Sequence, residues 1–404
     1  MPVLFPRSRD LFQGDVMKVA LVHNAYGRPS GEETVVAFQK GLLAAGGHEV
    51  VTFMRGSAEI GTMPWGRARA FFGGMYNPFS RAAFRQFLVR EKPDIVHIHN
   101  LFPLISPAIL PECKANGIPV VMTVHNYRLV CPTGLHLHQG TICERCAGGH
   151  EYWCFFNNCE SQWTKSLGYA LRGMVSERLG LYKGNVSLFA TLTAFQKQRL
   201  IDAGFDPERI CIIPNALDLS ATPPPVAGDG DYCAFVGRVS VEKGITVLLH
   251  AARLCPDIPF RLAGGFDEGS PFVKNAPENV RFMGHMTAEP LGRLIRQSRM
   301  VVLPSVWFEG FPMTVLESMA QARPVIVSAV GGLGEIVEDE RTGFLFTMGD
   351  GVQLAQKIQH LWHHPDLAAQ MGQQGWEKVR QDYSREKYLQ RLTAAYHKVL
   401  EEKK

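Results

Sequence analysis

Long apolar runs are missing from this chain. Nowhere in its 404 residues do about 18 apolar residues follow one another, the length that a membrane-spanning helix needs. The N-terminus also lacks the order of charged, apolar and small residues that is typical of a signal peptide. Net charge is low as well: 42 Lys and Arg against 38 Asp and Glu leave +4, which by itself argues neither for nor against a nucleic-acid partner. We therefore expect a cytoplasmic protein.

Hydrophobic residues make up 46% of the chain and charged residues 20%, which is a globular composition. The length exceeds what one core usually holds, so we expect two domains of roughly 150 to 200 residues. Short apolar strands alternate with helical stretches, beginning with the strand KVALVHN. This alternation predicts an α/β protein with parallel sheets, which bind ligands beyond the carboxyl ends of their strands. The polar residues at those ends are Asn24, His97, His99 and His125.

A linker divides the pattern. The segment IIPNALDLSATPPPVAGDGDY concentrates Pro, Gly, Asp and Ser, and the strand and helix patterns restart after it. Its Asp229 and Asp231 resemble an Asp-x-Asp metal motif, but their position just before a strand favours turn residues. The predicted divisions are a tail at 1–16, two Rossmann-like domains at 17–214 and 215–383 that face one another across a cleft, and a C-terminal helix at 384–404 that could pack back on the first domain.

The stretch FEGFPMTVLESMA holds two carboxylates around a turn. Pro312 suits the first turn of a helix, whose free N–H groups would attract an anion such as phosphate. Glu317 would then lie inside the helix, where a carboxylate can bind the diol of a ribose, while Glu309 in the loop meets a sugar hydroxyl. The alternative is that both glutamates are solvated residues favoured by the helix dipole.

A pair of cations accompanies this stretch in FVGRVSVEKG, where Arg238 follows a strand end and Lys243 precedes a helix. Two cations at the mouth of a sheet can neutralise a diphosphate and stabilise it as a leaving group. An ordinary solvated loop with basic residues is the alternative. Together with the anion-binding helix start, the pair favours a site for a nucleoside diphosphate sugar.

Four segments together resemble glycosyltransferase family 4: FVGRVSVEKG, EGFPMTVLESMA, PVIVSAVGGLGEIVEDERTGFLF and IPNALD. The resemblance implies the two-domain GT-B fold and a retaining sugar transferase. It implies that Arg238 and Lys243 hold the donor diphosphate, that Glu317 binds the ribose and Glu309 the transferred sugar, and that residues 284–286 lie near the base. The full set of implied donor-binding residues is Arg238, Lys243, Gly284, His285, Met286, Glu309, Gly310, Phe311, Pro312, Met313, Thr314 and Glu317.

In the first domain, the resemblance implies that His125 in TVHNY faces the donor sugar and acts in catalysis with Glu309, Arg238 and Lys243. Ser30 departs from the family pattern, which usually has two glycines in this loop, and so restricts the backbone there. His97 and His99 could instead pack beneath the cleft, and His125 could be a core histidine at a strand end. The predicted acceptor or phosphate loop comprises Ser30, Gly31, Glu33, His97, His99 and Asn126.

The reaction implied by the resemblance needs no metal and no dedicated nucleophile, because the departing phosphate itself takes the acceptor proton. We predict a hexosyltransferase that uses a UDP- or GDP-sugar and acts on a glycan or lipid-linked glycan in the synthesis of a bacterial surface polysaccharide. Two alternatives are a sugar-nucleotide epimerase of the same architecture and a zinc-dependent binding module without catalysis.

Five of the nine cysteines fall between residues 131 and 159, in an insertion of the first domain that contains a C-x-x-C pair. In a reducing cytosol, zinc is the natural alternative to disulfides. The predicted ligands of a structural zinc are Cys131, Cys143, Cys146 and Cys159, with Cys154 or His150 as a substitute. Otherwise the insertion holds reduced, partly buried thiols.

Basic and aromatic residues interleave between positions 64 and 94. Such a surface could dock on the inner face of an anionic cytoplasmic membrane, where a lipid-linked acceptor would wait. It could equally be an amphipathic helix whose phenylalanines fill the core; single-stranded nucleic acid is a third interpretation, although we expect no nucleic-acid partner. The residues concerned are Arg67, Arg69, Arg81, Arg85, Arg90, Trp65, Phe71, Phe72, Phe79, Phe84 and Phe87.

Overall fold

A computed structural model describes residues 16–27, 31–219 and 230–403. Three predicted features lie outside these ranges. They are residues 1–15 of the predicted tail, the loop residue Ser30, and residues 220–229 of the predicted linker, which include Asp229. None of the helices in the described ranges combines the length and the apolar content that crossing a bilayer requires.

The first domain is an α/β unit built on six parallel strands. Its strands are β1 (Lys18–Ala25), β2 (Glu49–Gly56), β3 (Ile95–Asn100), β4 (Val120–Val124), β5 (Leu137–His138), β6 (Thr141–Ile142), β7 (Leu188–Thr191) and β8 (Ile210–Ile212). Its helices are α1 (Gly31–Ala45), α2 (Gly66–Met75), α3 (Pro78–Glu91), α4 (Leu110–Ala115), α5 (Trp153–Phe156), α6 (Trp163–Arg178) and α7 (Ala194–Asp202), with 3-10 turns at Ser57–Gly61, Pro107–Ile109 and Pro207–Arg209.

The second domain repeats the plan. Its strands are β9 (Cys233–Val236), β10 (Phe260–Ala263), β11 (Val280–Gly284), β12 (Met300–Leu303), β13 (Val325–Ser328) and β14 (Gly343–Phe346). The helices that follow the linker are α8 (Ile245–Leu254), α9 (Pro271–Lys274), α10 (Ala288–Gln297), α11 (Met313–Ala320), α12 (Leu333–Ile336), α13 (Gly351–His363), α14 (Pro365–Asp382) and α15 (Arg385–Glu401).

The strand order places one ligand crevice in each domain. The first sheet runs β2-β1-β3-β4-β7-β8 and the second runs β11-β10-β9-β12-β13-β14, with β5 and β6 forming a separate antiparallel pair. Because both faces of a parallel sheet are covered, most residues of its strands are apolar, as in the buried segment Val19–Val22. The order reverses between β1 and β3 and between β9 and β12, so ligands are expected at the carboxyl ends of these strands.

The last helix, α15, packs on the first domain. Its buried face includes Leu389, Leu392 and Val399, which share a core cluster with β1. Polar contacts add to this packing, because the Tyr388 hydroxyl donates to Oε1 of Gln39 at 2.6 Å. The chain therefore crosses back from the second domain and ends on the first.

The two domains also meet through an aromatic contact. The ring of Phe308, from the second domain, lies 4.8 Å from that of Phe195 and 6.0 Å from that of Tyr127 between centroids. Nearby, Glu335 of α12 accepts hydrogen bonds from the backbone N–H groups of Ala194 and Phe195, both at 2.7 Å. Glu335 thus caps the N-terminus of α7 from the opposite domain.

Candidate active site

The loop after β12 holds Glu309 in a network of donors. Oε1 of Glu309 accepts hydrogen bonds from Nζ of Lys243 at 2.7 Å, Oγ of Ser305 at 2.5 Å and Nε1 of Trp307 at 3.0 Å. Glu309 is only 4% exposed. Among the described residues no donor is recorded to its other oxygen, Oε2, which leaves that oxygen available for a sugar hydroxyl.

Lys243 reaches Glu309 because two loops pack closely. Gly244 has a φ of +73°, and a Cβ at this position would lie 1.7 Å from the carbonyl oxygen of Pro304. Only glycine accommodates both the conformation and the approach. The loop after β9 therefore lies against the loop after β12, at the point where the strand order of the second sheet reverses.

Arg238 lies on the same loop but has a different environment. Its side chain is 67% exposed and pairs with Glu242, with 2.9 Å between Nη2 and Oε1. The structure thus brings together Lys243 and Glu309, while the guanidinium of Arg238 is open to solvent at the mouth of the cleft.

Helix α11 begins one residue later than the sequence predicts. Pro312 takes the extended N-cap position, with φ −72° and ψ 111°, and the helix starts at Met313. A proline at the N-cap still leaves the first N–H groups free, as at Met313 and Thr314. The adjoining Phe311 is buried against Tyr383, at 5.6 Å between ring centroids, and so supports the loop rather than a ligand.

Glu317 is partly buried one turn into α11. Burial alone raises the pKa of its carboxyl group, and no charged neighbour contributes to that shift. No side chain of the described ranges is recorded as donating to it. A buried carboxylate without a donor is costly, and the hydroxyls of a bound ribose would satisfy it.

The first domain touches this loop at His125. A Cβ on Gly310 would lie 2.4 Å from the carbonyl oxygen of His125, so the two backbones are in close contact. The hydroxyl of Tyr127 donates to the backbone oxygen of Glu309 at 3.2 Å. His125 therefore lies beside the glutamate loop, although 184 positions separate His125 from Glu309 in the sequence (309 minus 125).

Three histidines form a row from the cleft into the core. Nε2 of His125 lies 2.8 Å from Nδ1 of His99, and the His99 ring stacks on that of His97 at 4.7 Å. Burial lowers the pKa of all three imidazoles, so they are neutral near pH 7. His97 contacts Thr123 and the Tyr396 hydroxyl of α15, each at 2.8 Å, and so lies beneath the cleft.

The remaining predicted loop residues surround the start of α1. Glu33 accepts a hydrogen bond from the backbone N–H of Tyr26 at 2.7 Å. Asn126 donates from Nδ2 to Oε1 of Glu32 at 2.9 Å. Gly31 is the first residue of α1.

The segment predicted to lie near the base, residues 284–286, begins at the last residue of the edge strand β11. Gly284 has a φ of +73°, and its carbonyl oxygen accepts a hydrogen bond from the N–H of Gly264 at 2.8 Å. His285 is exposed and Met286 is partly buried. These residues lie at the carboxyl end of the sheet, on the same edge as Lys243.

Sequence reasoning missed four residues that shape this site. Ser305 and Trp307 bind the Glu309 carboxylate, Tyr127 bridges the domains, and Glu335 caps α7. Trp307 lies two residues before Glu309 in the sequence, so the sequence alone could have indicated that its indole N–H donates to that carboxylate. The roles of Tyr127 and Glu335 depend on contacts between domains, which no local pattern indicates.

The cysteine insertion lies between β4 and β7. Cys146 and Cys154 are buried in a small cluster with Ala170, and Cys159 packs against it. Among the described residues, no three or more His, Cys, Asp or Glu side chains are arranged to hold a metal ion. The zinc site at Cys131, Cys143, Cys146 and Cys159 stays a prediction.

Two family models match the chain. One is described as Glycosyltransferase Family 4 and matches residues 29–221, and the other is described as Glycosyl transferases group 1 and matches residues 230–364. A related sequence is an uncharacterized 42.6 kDa protein in the cps region of Klebsiella pneumoniae, 26% identical over 266 residues, which are 65% of this chain and 64% of that protein. The chain spans 64%, 49% and 58% of three curated relatives that it matches.

Solved structures resemble nearly the whole chain. Sucrose-phosphate synthase from Thermosynechococcus elongatus has a TM-score of 0.71 at 20% identity, covering 96% of this chain and 100% of that one. Anabaena HepE in complex with UDP and glucose has a TM-score of 0.66 at 18% identity, covering 95% and 100%. At these identities the similarity shows the fold. The predicted GT-B architecture, two Rossmann-like domains facing across a cleft, is confirmed.

Proposed function

The chain belongs to glycosyltransferase family 4, and from this membership we propose that it transfers a hexose from a nucleoside diphosphate sugar to a glycan or lipid-linked acceptor, with retention of the anomeric configuration. The observation that carries the proposal is the joint placement of Lys243, Glu309 and the start of α11 at the switch point of the second sheet. A cation, a carboxylate and free backbone N–H groups there match the diphosphate and the sugar of such a donor.

The donor would lie along this edge in a fixed order. Lys243 and the N-terminus of α11 would bind the diphosphate, and the exposed Arg238 would turn from Glu242 towards it. Glu317 would bind the ribose hydroxyls, and Oε2 of Glu309 a hydroxyl of the transferred sugar. Residues 284–286 would contact the base.

The proposed reaction takes place on one face of the sugar. The bond between the anomeric carbon and the phosphate oxygen breaks, the acceptor oxygen bonds to that carbon from the same side, and its proton passes to the departing phosphate oxygen. No protein nucleophile and no metal ion are needed. The chain would contribute position and charge, because Lys243 stabilises the negative charge that develops on the diphosphate.

His125 would face the sugar from the first domain. Its neutral ring, held against His99, can donate or accept a hydrogen bond without adding charge near the reacting carbon. The close contact between Gly310 and the His125 backbone would keep the two catalytic loops together.

UDP is the donor nucleotide we favour, with GDP as the alternative. The Anabaena neighbour was solved in complexes with UDP and with UDP-glucose, which supports this choice at the level of the fold. We also propose a role in the synthesis of a bacterial surface polysaccharide; the Klebsiella relative is described as a protein in the cps region.

Thermal shift against UDP, GDP, ADP and CMP tests the donor site. A nucleotide at a hundredfold its dissociation constant should stabilise the wild type by about 2.7 kcal/mol. Glu317→Ala should lose this shift, whereas Glu386→Ala, an exposed glutamate on α15, should keep it. No shift with any nucleotide would count against the proposal. Incubating the donor with and without acceptor and analysing the products would then separate transfer from isomerisation.

The structural zinc is a proposal of its own. Elemental analysis of protein purified without chelators should find about one zinc per chain if Cys131, Cys143, Cys146 and Cys159 bind it. Cys143→Ser should lose the metal, and Cys211→Ser, outside the insertion, should retain it. Metal-free wild-type protein with full thermal stability would contradict the proposal.

A further inference from the structure

A cavity of 550 Å³ opens in the first domain, beside the carboxyl ends of its strands. It lies between α2, α6 and the turn Ser57–Gly61. Four cations line it: Arg67, Arg128, Lys165 and Arg172. Tyr26, which follows β1, lies on its wall. The proposed donor site does not use this cavity. The cavity belongs to the first domain, which faces the proposed donor site across the cleft.

Arg172 is a buried cation without a carboxylate partner. It is 8% exposed, its Nη2 donates to the carbonyl oxygen of Pro132 at 2.7 Å, and its guanidinium stacks on the rings of Phe102 and Tyr169 at 4.0 and 4.4 Å. Within the described ranges no ion pair to it is recorded. Burial, and next the neighbouring Arg128, lower its pKa to about 10, so it remains charged near pH 7.

Arg128 shares this excess of positive charge. Its Nη1 donates to the Tyr26 hydroxyl at 3.0 Å, and its buried Nε has no hydrogen-bond partner. Glu32 accepts a hydrogen bond from the same tyrosine at 2.9 Å, so this carboxylate reaches Arg128 through the tyrosine hydroxyl. One carboxylate that acts through a tyrosine hydroxyl does not balance two adjacent guanidinium groups.

Unpaired buried cations are costly, and a bound anion would offset that cost. Lys165 is partly engaged, because it pairs with Glu160. Arg67 on α2 is exposed, and no ion pair to it is recorded in the described part of the chain. The planar forks of the arginines suit phosphate oxygens, which they can bind through two parallel hydrogen bonds.

The cavity is also apolar on one side. Phe71 and Ile60 line it, and Phe71 packs so closely on α6 that a Cβ at Gly168 would lie 2.7 Å from its ring. A hydrocarbon chain attached to a phosphate could follow this wall. A phosphate group can belong to a lipid carrier or to a soluble sugar phosphate, and the cations suit both.

We propose that this cavity binds the phosphate or diphosphate group of the acceptor. The inference rests on the proposed transferase function and narrows its acceptor to an anionic class. The acceptor's reacting hydroxyl would then extend from the cavity towards His125 and the donor sugar.

Calorimetric titration tests the proposal in full-length protein saturated with UDP, so that the donor phosphate site is filled. Farnesyl diphosphate and glucose 1-phosphate are the probes for a lipid carrier and for a soluble sugar phosphate. We expect one or both to bind, and we expect Arg172→Gln and Arg67→Gln to weaken that binding about tenfold or more, the loss typical of a charged hydrogen bond. Arg178→Gln, which changes an exposed arginine at the end of α6 outside the cavity, is the matched control.

Each result has one meaning. Tighter binding of farnesyl diphosphate supports the site and identifies a lipid carrier, and tighter binding of glucose 1-phosphate supports it with a soluble acceptor. Arg67→Gln keeps the test valid if Arg172→Gln fails to fold. If the protein binds UDP but neither probe, or if Arg178→Gln weakens binding as much as Arg67→Gln, the anion site is wrong and the donor site stands. Failure to bind either UDP or GDP would instead count against the proposed function.

Discussion

Two ion pairs, Lys243 with Glu309 and Arg238 with Glu242, lie in the loops of the candidate site and differ in burial. This difference predicts different roles for the two glutamates. Lys243 and Glu309 have side chains 16% and 5% exposed, whereas Arg238, paired with Glu242, is 67% exposed. Removing the charge of Glu309 leaves Lys243 unpaired in a nearly buried position. We therefore predict that Glu309→Gln lowers the free energy of unfolding by about 3 kcal/mol, as breaking buried pairs does.

The same change should abolish most of the transfer activity, because the glutamate also holds the sugar in the proposed complex. Loss of one such contact usually costs about a hundredfold in kcat. Glu242→Gln is the control and should cost less than about 1 kcal/mol of stability. Urea denaturation of both variants measures the difference, and equal destabilisation would contradict this assignment.

Buried histidines make stability depend on pH. Burial lowers the pKa of His23, His97, His99 and His125 below the ordinary 6.5. The unfolded chain therefore binds more protons than the folded protein below that pH, so this contribution is present above pH 6.5 and is lost as pH falls. Each imidazole that stays neutral when folded should cost about 1.4 kcal/mol between pH 7.5 and 5.5.

Urea denaturation across this range would show the loss as a falling midpoint. NMR of the imidazole carbon-bound protons should find the His97 and His99 signals constant from pH 8 to pH 6 in the folded protein. Normal titration of His97 near pH 6.5 would refute the explanation.

At the scale of elements, the cap that α12 gives to α7 links the two domains. The Glu335 carboxylate accepts from two N–H groups of α7, at Ala194 and Phe195. We predict that Glu335→Ala weakens domain closure by about 1 kcal/mol, the usual value of a lost cap. The expected readouts are a larger radius of gyration by X-ray scattering and a higher KM for the donor.

Asp350→Ala provides a matched comparison. Asp350 caps α13 through Val352 and Gln353, at 3.0 and 2.9 Å, entirely inside the second domain. It should lower stability by a similar amount without changing the radius of gyration. If both variants left the scattering unchanged, Glu335 would be a local cap only.

The stretch of interleaved basic and aromatic residues contains both buried and exposed aromatic rings. On α3, Phe84 and Phe87 are buried in the core, which agrees with the core interpretation. Trp65 just before α2, Phe72 on α2 and Phe79 in the first turn of α3 are 86%, 64% and 84% exposed. Arg67 and Arg69 on α2 supply positive charge beside them. The exposed part favours a membrane contact, which we propose at the scale of the whole molecule.

Flotation with phosphatidylglycerol vesicles tests that contact. We predict that the wild type floats and that Trp65→Ser with Phe79→Ser weakens binding about tenfold or more, since inserting each large side chain contributes about 2 kcal/mol. Leu254→Ser, which changes a 42% exposed leucine on the second domain, should have no effect. A wild type that does not float would refute membrane docking.

Across the whole molecule, local patterns predicted the two α/β domains and most element positions. The strand predicted at KVALVHN is β1, and the helix predicted to start near Pro312 is α11. These predictions succeed because alternation of short apolar runs and helical stretches follows from backbone hydrogen bonding and burial. The resemblance to glycosyltransferase family 4 further predicted the GT-B fold, and the comparison with solved structures confirms that fold.

By itself, the sequence determined the strand and helix order, the family, and the residue types able to bind a diphosphate and a sugar. Only tertiary structure decided which of them meet. Lys243 pairs with Glu309 because Gly244 lets two loops approach, and His97 contacts α15 because the chain returns across 299 positions to the first domain. The unpaired Arg172 likewise has no sequence signal, since a charge lacks a partner only when the fold removes it from water and from carboxylates.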